Sequence, residues 1–254
     1  MPFLTARWSN LCLLTYAVPP AVLQPRVPPG LVLDTRTDLA ACDGSPADAG
    51  NPAAFVSLVA FDFLDTRVLG VPWPGYRDFP EINLRFYVRD PSTGDRGVCF
   101  VREFVPQTLV AFLARSIYGE PYLAAPMTSR VTETPDRITI EHALTFGGRT
   151  NRLTVVGGKP CATPADTSVE HFFKEHKWGF SDGGRPGRCV RYEVSHPVWA
   201  TYAVDRHELD WDWSAVYGPE FAFLQNATPC SVVVAQGSAI AVYPKGKRAV
   251  NVDK

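Results

Sequence analysis

Residues 80–90 read PEINLRFYVRD, and this stretch decides how the rest of the chain is interpreted. Apolar and polar side chains alternate along it, which is typical of a β-strand, because successive side chains point to opposite faces of a sheet. One face would carry Ile82, Leu84, Phe86 and Val88, and the other Glu81, Asn83, Arg85, Tyr87 and Arg89. We expect the apolar face to pack in a core. The polar face either lies in water or lines a polar cavity.

The composition argues against a highly charged partner. The chain has 254 residues, with 25 Lys and Arg against 26 Asp and Glu and a formal net charge of −1. No overall field attracts nucleic acid or an anionic membrane, so neither is expected as a partner. The N-terminal region shows neither a basic leader nor a long apolar run, which predicts a cytoplasmic protein.

The cysteines predict neither disulfides nor a structural zinc site. They lie far apart, without a CxxC pair, and buried free thiols are the expected state. No cofactor is expected. The six residues are Cys12, Cys42, Cys99, Cys161, Cys189 and Cys230.

The rest of the chain predicts an α+β fold that is mainly β. Many short strand patterns follow one another without a tandem repeat or a βαβ rhythm. Residues 81–89 and 96–105 form a predicted hairpin, and residues 43–52 are a predicted loop. Helices are predicted at residues 106–117 and 164–178. We expect a single domain over residues 1–244, followed by a polar tail at 245–254.

Several segments carry a family resemblance. They include LLTYAVPPAVLQPRVPPGLVLD, SLVAFDFLDTRVLGVPWPGYRDFPEINLRFYV, ARSIYGEPYLAAPM, FFKEHKWGF and SHPVW. Together they resemble the YqjF-like proteins, a family of unknown function within the acetoacetate decarboxylase-like superfamily. The resemblance runs from residue 8 to residue 242. It implies a cone-shaped β-barrel with a few flanking helices and a pocket inside the cone.

The same resemblance argues against one specific reaction. In the decarboxylases, a pocket lysine forms a Schiff base with a β-keto acid, and the segment GEPYLAAPM resembles the one that carries paired lysines. Tyr122 and Leu123 stand at those positions here, and the first lysine of the chain is Lys159. Schiff-base chemistry requires an amine. Classical acetoacetate decarboxylase activity is therefore not expected.

Four charged residues are the main candidates for a site. Glu81 and Glu120 would form an acid/base pair, because carboxylates that share a partly desolvated pocket shift each other's pKa values. Alternatively, Glu81 pairs with Arg85 or Arg102 and only balances charge. Arg85 and Arg102, on neighbouring strands of the hairpin, would together bind a substrate carboxylate.

Aromatic and histidine side chains complete the candidate site. Tyr118 and Tyr122 flank Glu120 and would offer hydroxyl donors, with a purely structural role as the alternative. His176 is expected at the mouth of the barrel, among the ligand-binding groups. No metal site is expected, because His171 and His176 are five residues apart, which places them about 140° apart on a helix.

Three functions remain open from the sequence. The first is binding of a small carboxylate-bearing or polar metabolite in the barrel pocket. The second is a non-catalytic structural or protein-interaction barrel. The third is a lysine-independent lyase or decarboxylase-like enzyme that uses glutamate acid/base chemistry. The sequence also leaves open whether the chain forms a homo-oligomer.

Overall fold

The computed structural model describes residues 1–37, 52–185 and 187–247. This part of the chain folds mainly into strands, with four α-helices and two 3₁₀ helices. The strands are β1 (Leu4–Val18), β2 (Val32–Leu33), β3 (Ala54–Val68), β4 (Val71–Pro72), β5 (Phe79–Arg89), β6 (Arg96–Val105), β7 (Tyr122–Ala124), β8 (Met127–Glu133), β9 (Arg137–Phe146), β10 (Arg149–Ala162), β11 (Trp178–Ser181), β12 (Val190–Ser195), β13 (Thr201–Asp210) and β14 (Ser231–Lys247). The helices are α1 (Pro20–Leu23), α2 (Thr108–Tyr118), α3 (Val169–Lys174) and α4 (Trp213–Tyr217), and the 3₁₀ helices span Gln24–Arg26 and Pro219–Asn226.

Seven strands form a closed ring in the order β1, β3, β5, β6, β11, β12 and β14. The ring closes because β14 pairs with β12 along one edge and with β1 along the other. A second branch leaves β14 through β13 and continues to β10, β9 and β8. A closed sheet has no free edge in the ring and encloses an interior. The expected mainly β fold with few helices is confirmed.

Strand β5 has both faces buried. Its even-numbered residues, such as Leu84 and Phe86, belong to a large apolar cluster together with Trp211 and Trp213. On the odd-numbered face, every residue from Glu81 to Tyr87 is also buried, and only Arg89 is exposed. The polar face of the predicted strand is therefore not a solvated surface.

Helix α2 lies close to its predicted position. The chain then returns to the ring through β7, which pairs with β6. Gly119 follows the last residue of α2 and has a φ of 68°. A Cβ atom at this position would come within 2.2 Å of the backbone of Gly183. Only glycine accepts both the left-handed conformation and this close approach. The tight turn places the next residue, Glu120, against the interior.

The second predicted helix is shorter than expected. Ser168 caps α3 by accepting a hydrogen bond from the His171 backbone N–H at 3.1 Å. The helix ends at Lys174, because the chain becomes extended and enters β11 at Trp178. Lys174 forms an ion pair with the adjacent Glu175. It does not pair with Glu170, which lies four residues earlier on the same helix.

The C-terminal part departs from the predicted tail. Strand β14 continues to Lys247, because this end of the strand pairs with β12 through Val190. The predicted loop at 43–52 lies outside the described residues except for Pro52, and so does Cys42. Cys12, Cys99 and Cys161 are free thiols. No helix in the described ranges is both long and apolar enough to cross a membrane.

Candidate functional site

A cavity of about 370 Å³ lies against the odd-numbered face of β5. This volume falls within the usual range for pockets that bind small molecules. Apolar side chains from β1, β3 and α2 form most of its wall. The polar groups are fewer and come mainly from β5, β6 and the segments around α3 and β12. They include Glu81, Asn83, Arg85, Glu103, Glu120, Tyr122, Lys174, His176, Tyr192 and His196.

Strand β5 sets the order of groups along the cavity. Arg85, Asn83, Glu81 and Phe79 follow one another on the face that lines it. Side chains two residues apart on one face of a strand are separated by about 7 Å. The wall therefore changes from a cation through an amide to a carboxylate, and then to an aromatic ring.

Three buried carboxyl groups form an acidic cluster, which consists of Glu81, Glu103 and Glu120. Glu103 enters from β6, where it lies opposite Asn83 in the antiparallel register. Glu81 accepts hydrogen bonds from the amide of Asn83 at 2.9 Å and from the hydroxyl of Tyr122 at 2.8 Å. Tyr192 forms a hydrogen bond with Glu120.

Burial changes the protonation of this cluster. Removal from water raises the pKa of Glu81 to about 7, although hydrogen bonds from Asn83, Tyr122 and Glu103 partly oppose the shift. The pKa of Glu103 lies well above its usual value, first because of burial and then because of the charges of Glu81 and Glu120. Burial and the neighbouring charges therefore favour the protonated form of Glu103, which hydrogen-bonds to Glu81. The cluster holds a proton donor and a proton acceptor side by side.

The shifted pKa of Glu81 predicts a pH dependence of stability. Between pH 4.5 and about 7 this group binds more protons in the folded chain than in the unfolded chain, so its contribution to the free energy of unfolding falls as pH rises. The total fall is about 3 kcal/mol. Buried His142 and His176 act in the opposite direction, because burial lowers their pKa values and stability then rises with pH up to about 6.5.

The variant Glu81→Gln separates the two effects, because it leaves the histidines in place. We expect the stability of the wild type minus that of Glu81→Gln to fall by about 3 kcal/mol between pH 4.5 and pH 8, measured by urea unfolding. Glu141→Gln, which removes an exposed carboxylate on β9, is the control. Its stability difference from the wild type should not change with pH. A flat difference for Glu81→Gln as well would contradict the raised pKa.

Arg85 lies at the cationic end of the cavity. It is buried, and its Nη2 donates to the backbone carbonyl of Phe173 at 2.7 Å. Its Nε has no hydrogen-bond partner among the described residues. No carboxylate in the described ranges forms an ion pair with it. A buried guanidinium without a counter-ion is costly, and an anionic ligand would compensate it.

One lysine reaches the cavity wall although it is distant from β5 in sequence. Lys174 is fully buried at the end of α3, where it forms an ion pair with Glu175. His196 lies 3.8 Å from the other oxygen of Glu175 and stacks on Trp199 with ring centroids 4.1 Å apart. His176 also lines this part of the cavity, and burial together with the charge of Arg85 lowers its pKa.

Of the seven site residues expected from the sequence, five line the cavity together. These five are Glu81, Arg85, Glu120, Tyr122 and His176. Tyr118 is the last residue of α2, and its side chain lies outside the described part of the structure. Arg102 is not among the residues that line the cavity.

A register shift explains the position of Arg102. Between Leu84 and Arg85, strand β6 carries one extra residue, so that Arg85 lies opposite Phe100 while Leu84 lies opposite Arg102. Such a bulge moves the following side chains to the other face of the sheet. Arg102 consequently points away from the cavity and donates a hydrogen bond to the carbonyl of Val216. The expected pair of arginines does not form. Glu103 lines the cavity at the position on β6 that was expected for Arg102.

The residues described here contain no group of three or more His, Cys, Asp and Glu side chains arranged to hold a metal ion. The two histidines considered from the sequence do not share a helix, because α3 ends at Lys174, before His176. Sequence reasoning missed Glu103, Tyr192 and Lys174. None of the three had a local signal, because Glu103 lies opposite Asn83 only through the bulge in β6.

Comparisons with known proteins agree on the family and the fold. The family model DUF2071, described as "Uncharacterized conserved protein", matches residues 5–239. The "Uncharacterized protein YqjF" of Bacillus subtilis (strain 168) is 30% identical over 123 residues, which cover 48% of this chain and 44% of that relative. The chain therefore matches less than half the length of this relative.

Two solved structures show the same fold at low sequence identity. Acetoacetate decarboxylase from Legionella pneumophila has a TM-score of 0.60 and 17% identity, with 98% of this chain and 88% of that chain covered. The enduracididine biosynthesis enzyme MppR, in complex with pyruvate, has a TM-score of 0.61 and 17% identity, with 98% and 90% covered. At such identities the likeness shows the fold alone.

Proposed function

Since the chain belongs to the DUF2071 family and has an acetoacetate decarboxylase-like fold, we propose that its cavity binds a small carboxylate-bearing metabolite through Arg85. One observation carries the proposal: Arg85 is a buried guanidinium that lines a cavity of ligand size and forms no ion pair within the described ranges. A guanidinium offers two parallel N–H donors that match the two oxygens of a carboxylate.

The surroundings of Arg85 support the same ligand class. Lys174 and His176 lie near it, whereas the acidic cluster is centred further along β5 at Glu81. The net positive charge at this end comes from Arg85, because Lys174 is paired with Glu175 and burial lowers the pKa of His176. This charge would attract a carboxylate. The fold neighbour MppR is seen with pyruvate, itself a small carboxylate. This likeness adds to the proposal only at the level of ligand class.

A thermal-shift screen tests the proposal. The purified chain is melted with monocarboxylates, oxo acids and hydroxy acids, and with the matched primary amides as controls. A ligand at one hundred times its dissociation constant adds about 2.7 kcal/mol, which raises the melting temperature of a chain of this size by about 5–10 °C. We expect acids, but not amides, to produce such shifts. Equal behaviour of acids and amides would reject a site specific for carboxylates.

Proton transfer to the bound ligand is a second candidate function. It is favoured by the pKa of about 7 at Glu81, beside Glu103, whose pKa burial also raises, because a group that titrates near neutral pH serves as an efficient acid or base. This candidate does not require a Schiff base at position 122, where the Tyr122 hydroxyl donates to Glu81. The pH dependence expected for Glu81→Gln tests the protonation on which it depends.

A further inference from the structure

The cavity extends well beyond the acidic cluster. On β5, Phe79 and Arg85 line the same face and are six residues apart, so the wall between them is about 20 Å long. Beyond Glu81 the lining becomes apolar and aromatic. Phe61 lies opposite Glu81 and Phe63 opposite Phe79, and Leu109, Leu113 and Ile117 of α2 also line the cavity.

The apolar end is also the more exposed end. Trp73 and Leu109, which both line it, expose 43% and 38% of their surfaces, whereas Arg85 at the opposite end exposes 9%. Large apolar side chains in contact with water next to a cavity mark a surface that an apolar group can cover. The end of the cavity at Arg85 is enclosed, and the apolar end opens toward the solvent.

From this gradient we infer that the ligand is an amphipathic monocarboxylic acid whose aliphatic tail lies along the wall from Glu81 to α2. The inference rests on the proposed carboxylate site at Arg85 and adds the class of acid. The acidic cluster does not hinder an uncharged tail, because Glu81 already accepts hydrogen bonds from Asn83 and Tyr122. A second carboxylate in the tail would be repelled by the cluster.

The chain-length dependence of binding tests the inference. Four tryptophans line the cavity, namely Trp8, Trp73, Trp178 and Trp199, so their fluorescence reports binding directly. The probes are butanoate, hexanoate, octanoate and decanoate below their micelle concentrations, together with octanedioate. Burial of each additional methylene should tighten binding about fourfold until the wall is covered. Octanedioate should bind at least tenfold more weakly than octanoate.

A pair of variants on α2 locates the tail. Ala114 lines the cavity, and Ala114→Phe would fill its apolar end. We expect this variant to weaken octanoate binding at least tenfold while butanoate binding stays within about twofold. Phe112 is on the same helix, exposes 64% of its surface and does not line the cavity. Phe112→Ala should therefore leave both affinities unchanged.

The outcomes separate this inference from the proposed function. Equal affinities from butanoate to decanoate, still dependent on Arg85, would overturn the amphipathic ligand and leave the carboxylate site intact. An equal loss of octanoate affinity in Ala114→Phe and Phe112→Ala would place the tail elsewhere and also overturn the amphipathic ligand. Failure of every acid to bind would overturn both the inference and the proposed function.

Discussion

The variant Lys174→Met should unfold with a free energy about 3 kcal/mol below that of the wild type. Lys174 is fully buried, and the side chain of its partner Glu175 is only 15% exposed. Removing the ammonium leaves this carboxylate with little access to water and without its counter-ion. Methionine has a similar length and adds no clash, so the loss reports mainly the broken ion pair. Urea unfolding at pH 7 measures it.

Lys177→Met provides a matched control three residues away. Lys177 pairs with Glu193 at 3.0 Å, but its side chain is 59% exposed. Exposed ion pairs contribute little, so the change should be within about 0.5 kcal/mol. The double variant Lys174→Met/Glu175→Gln should regain part of the lost stability, because no unpaired charge remains. A Lys174→Met variant as stable as Lys177→Met would show that the buried pair does not stabilise the fold.

The local sequence pattern was sufficient to predict strand β5. The alternation in residues 80–90 placed Ile82 and Leu84 in a core and Glu81 and Arg85 on the opposite face, and the structure agrees on both faces. Helix α2 was likewise predictable, because its apolar spacing is long and regular. Whether the polar face of β5 lay in water or in a cavity could not be decided from the pattern, since closure of the ring depends on distant pairing such as that of β1 with β14.

The remaining site residues required information that no local pattern contains. A single bulge in β6 turns Arg102 away from the cavity and brings Glu103 in, and the alternation of side chains does not reveal where a bulge occurs. Lys174 and Tyr192 reach the cavity only because β11 and β12 complete the ring between β6 and β14. The absence of lysine before residue 159 was a correct observation, yet it could not exclude a lysine that arrives from the second half of the chain.

The position of Tyr122 shows how the cavity differs from what the resemblance implies for a decarboxylase. At the place that the resemblance assigns to a lysine, a phenol donates a hydrogen bond to Glu81. Leu123 beside it packs against the apolar cluster outside the cavity. The chemistry available at this point is therefore hydrogen bonding to a carboxyl group. Any reaction in this cavity has to be argued from the acidic cluster and the cationic end.

Arg85→Met should weaken binding of a carboxylic acid about 100-fold, because removing one partner of a buried charge pair typically costs 2–5 kcal/mol. Arg89→Met is the matched control, since Arg89 is on the same strand but is exposed and does not line the cavity. Arg85→Lys keeps the charge but loses the two parallel donors. Its affinity for the acid should lie between those of Arg85→Met and Arg89→Met. Circular dichroism melting confirms that each variant is folded.

Isothermal titration calorimetry of these folded variants, with the best acid from the screen and its primary amide, is the most direct test of the carboxylate site. We predict that the acid binds the wild type and Arg89→Met equally and binds Arg85→Met about 100-fold more weakly. The amide should bind no tighter to the wild type than to Arg85→Met. An acid that binds folded Arg85→Met as tightly as the wild type would contradict the carboxylate site.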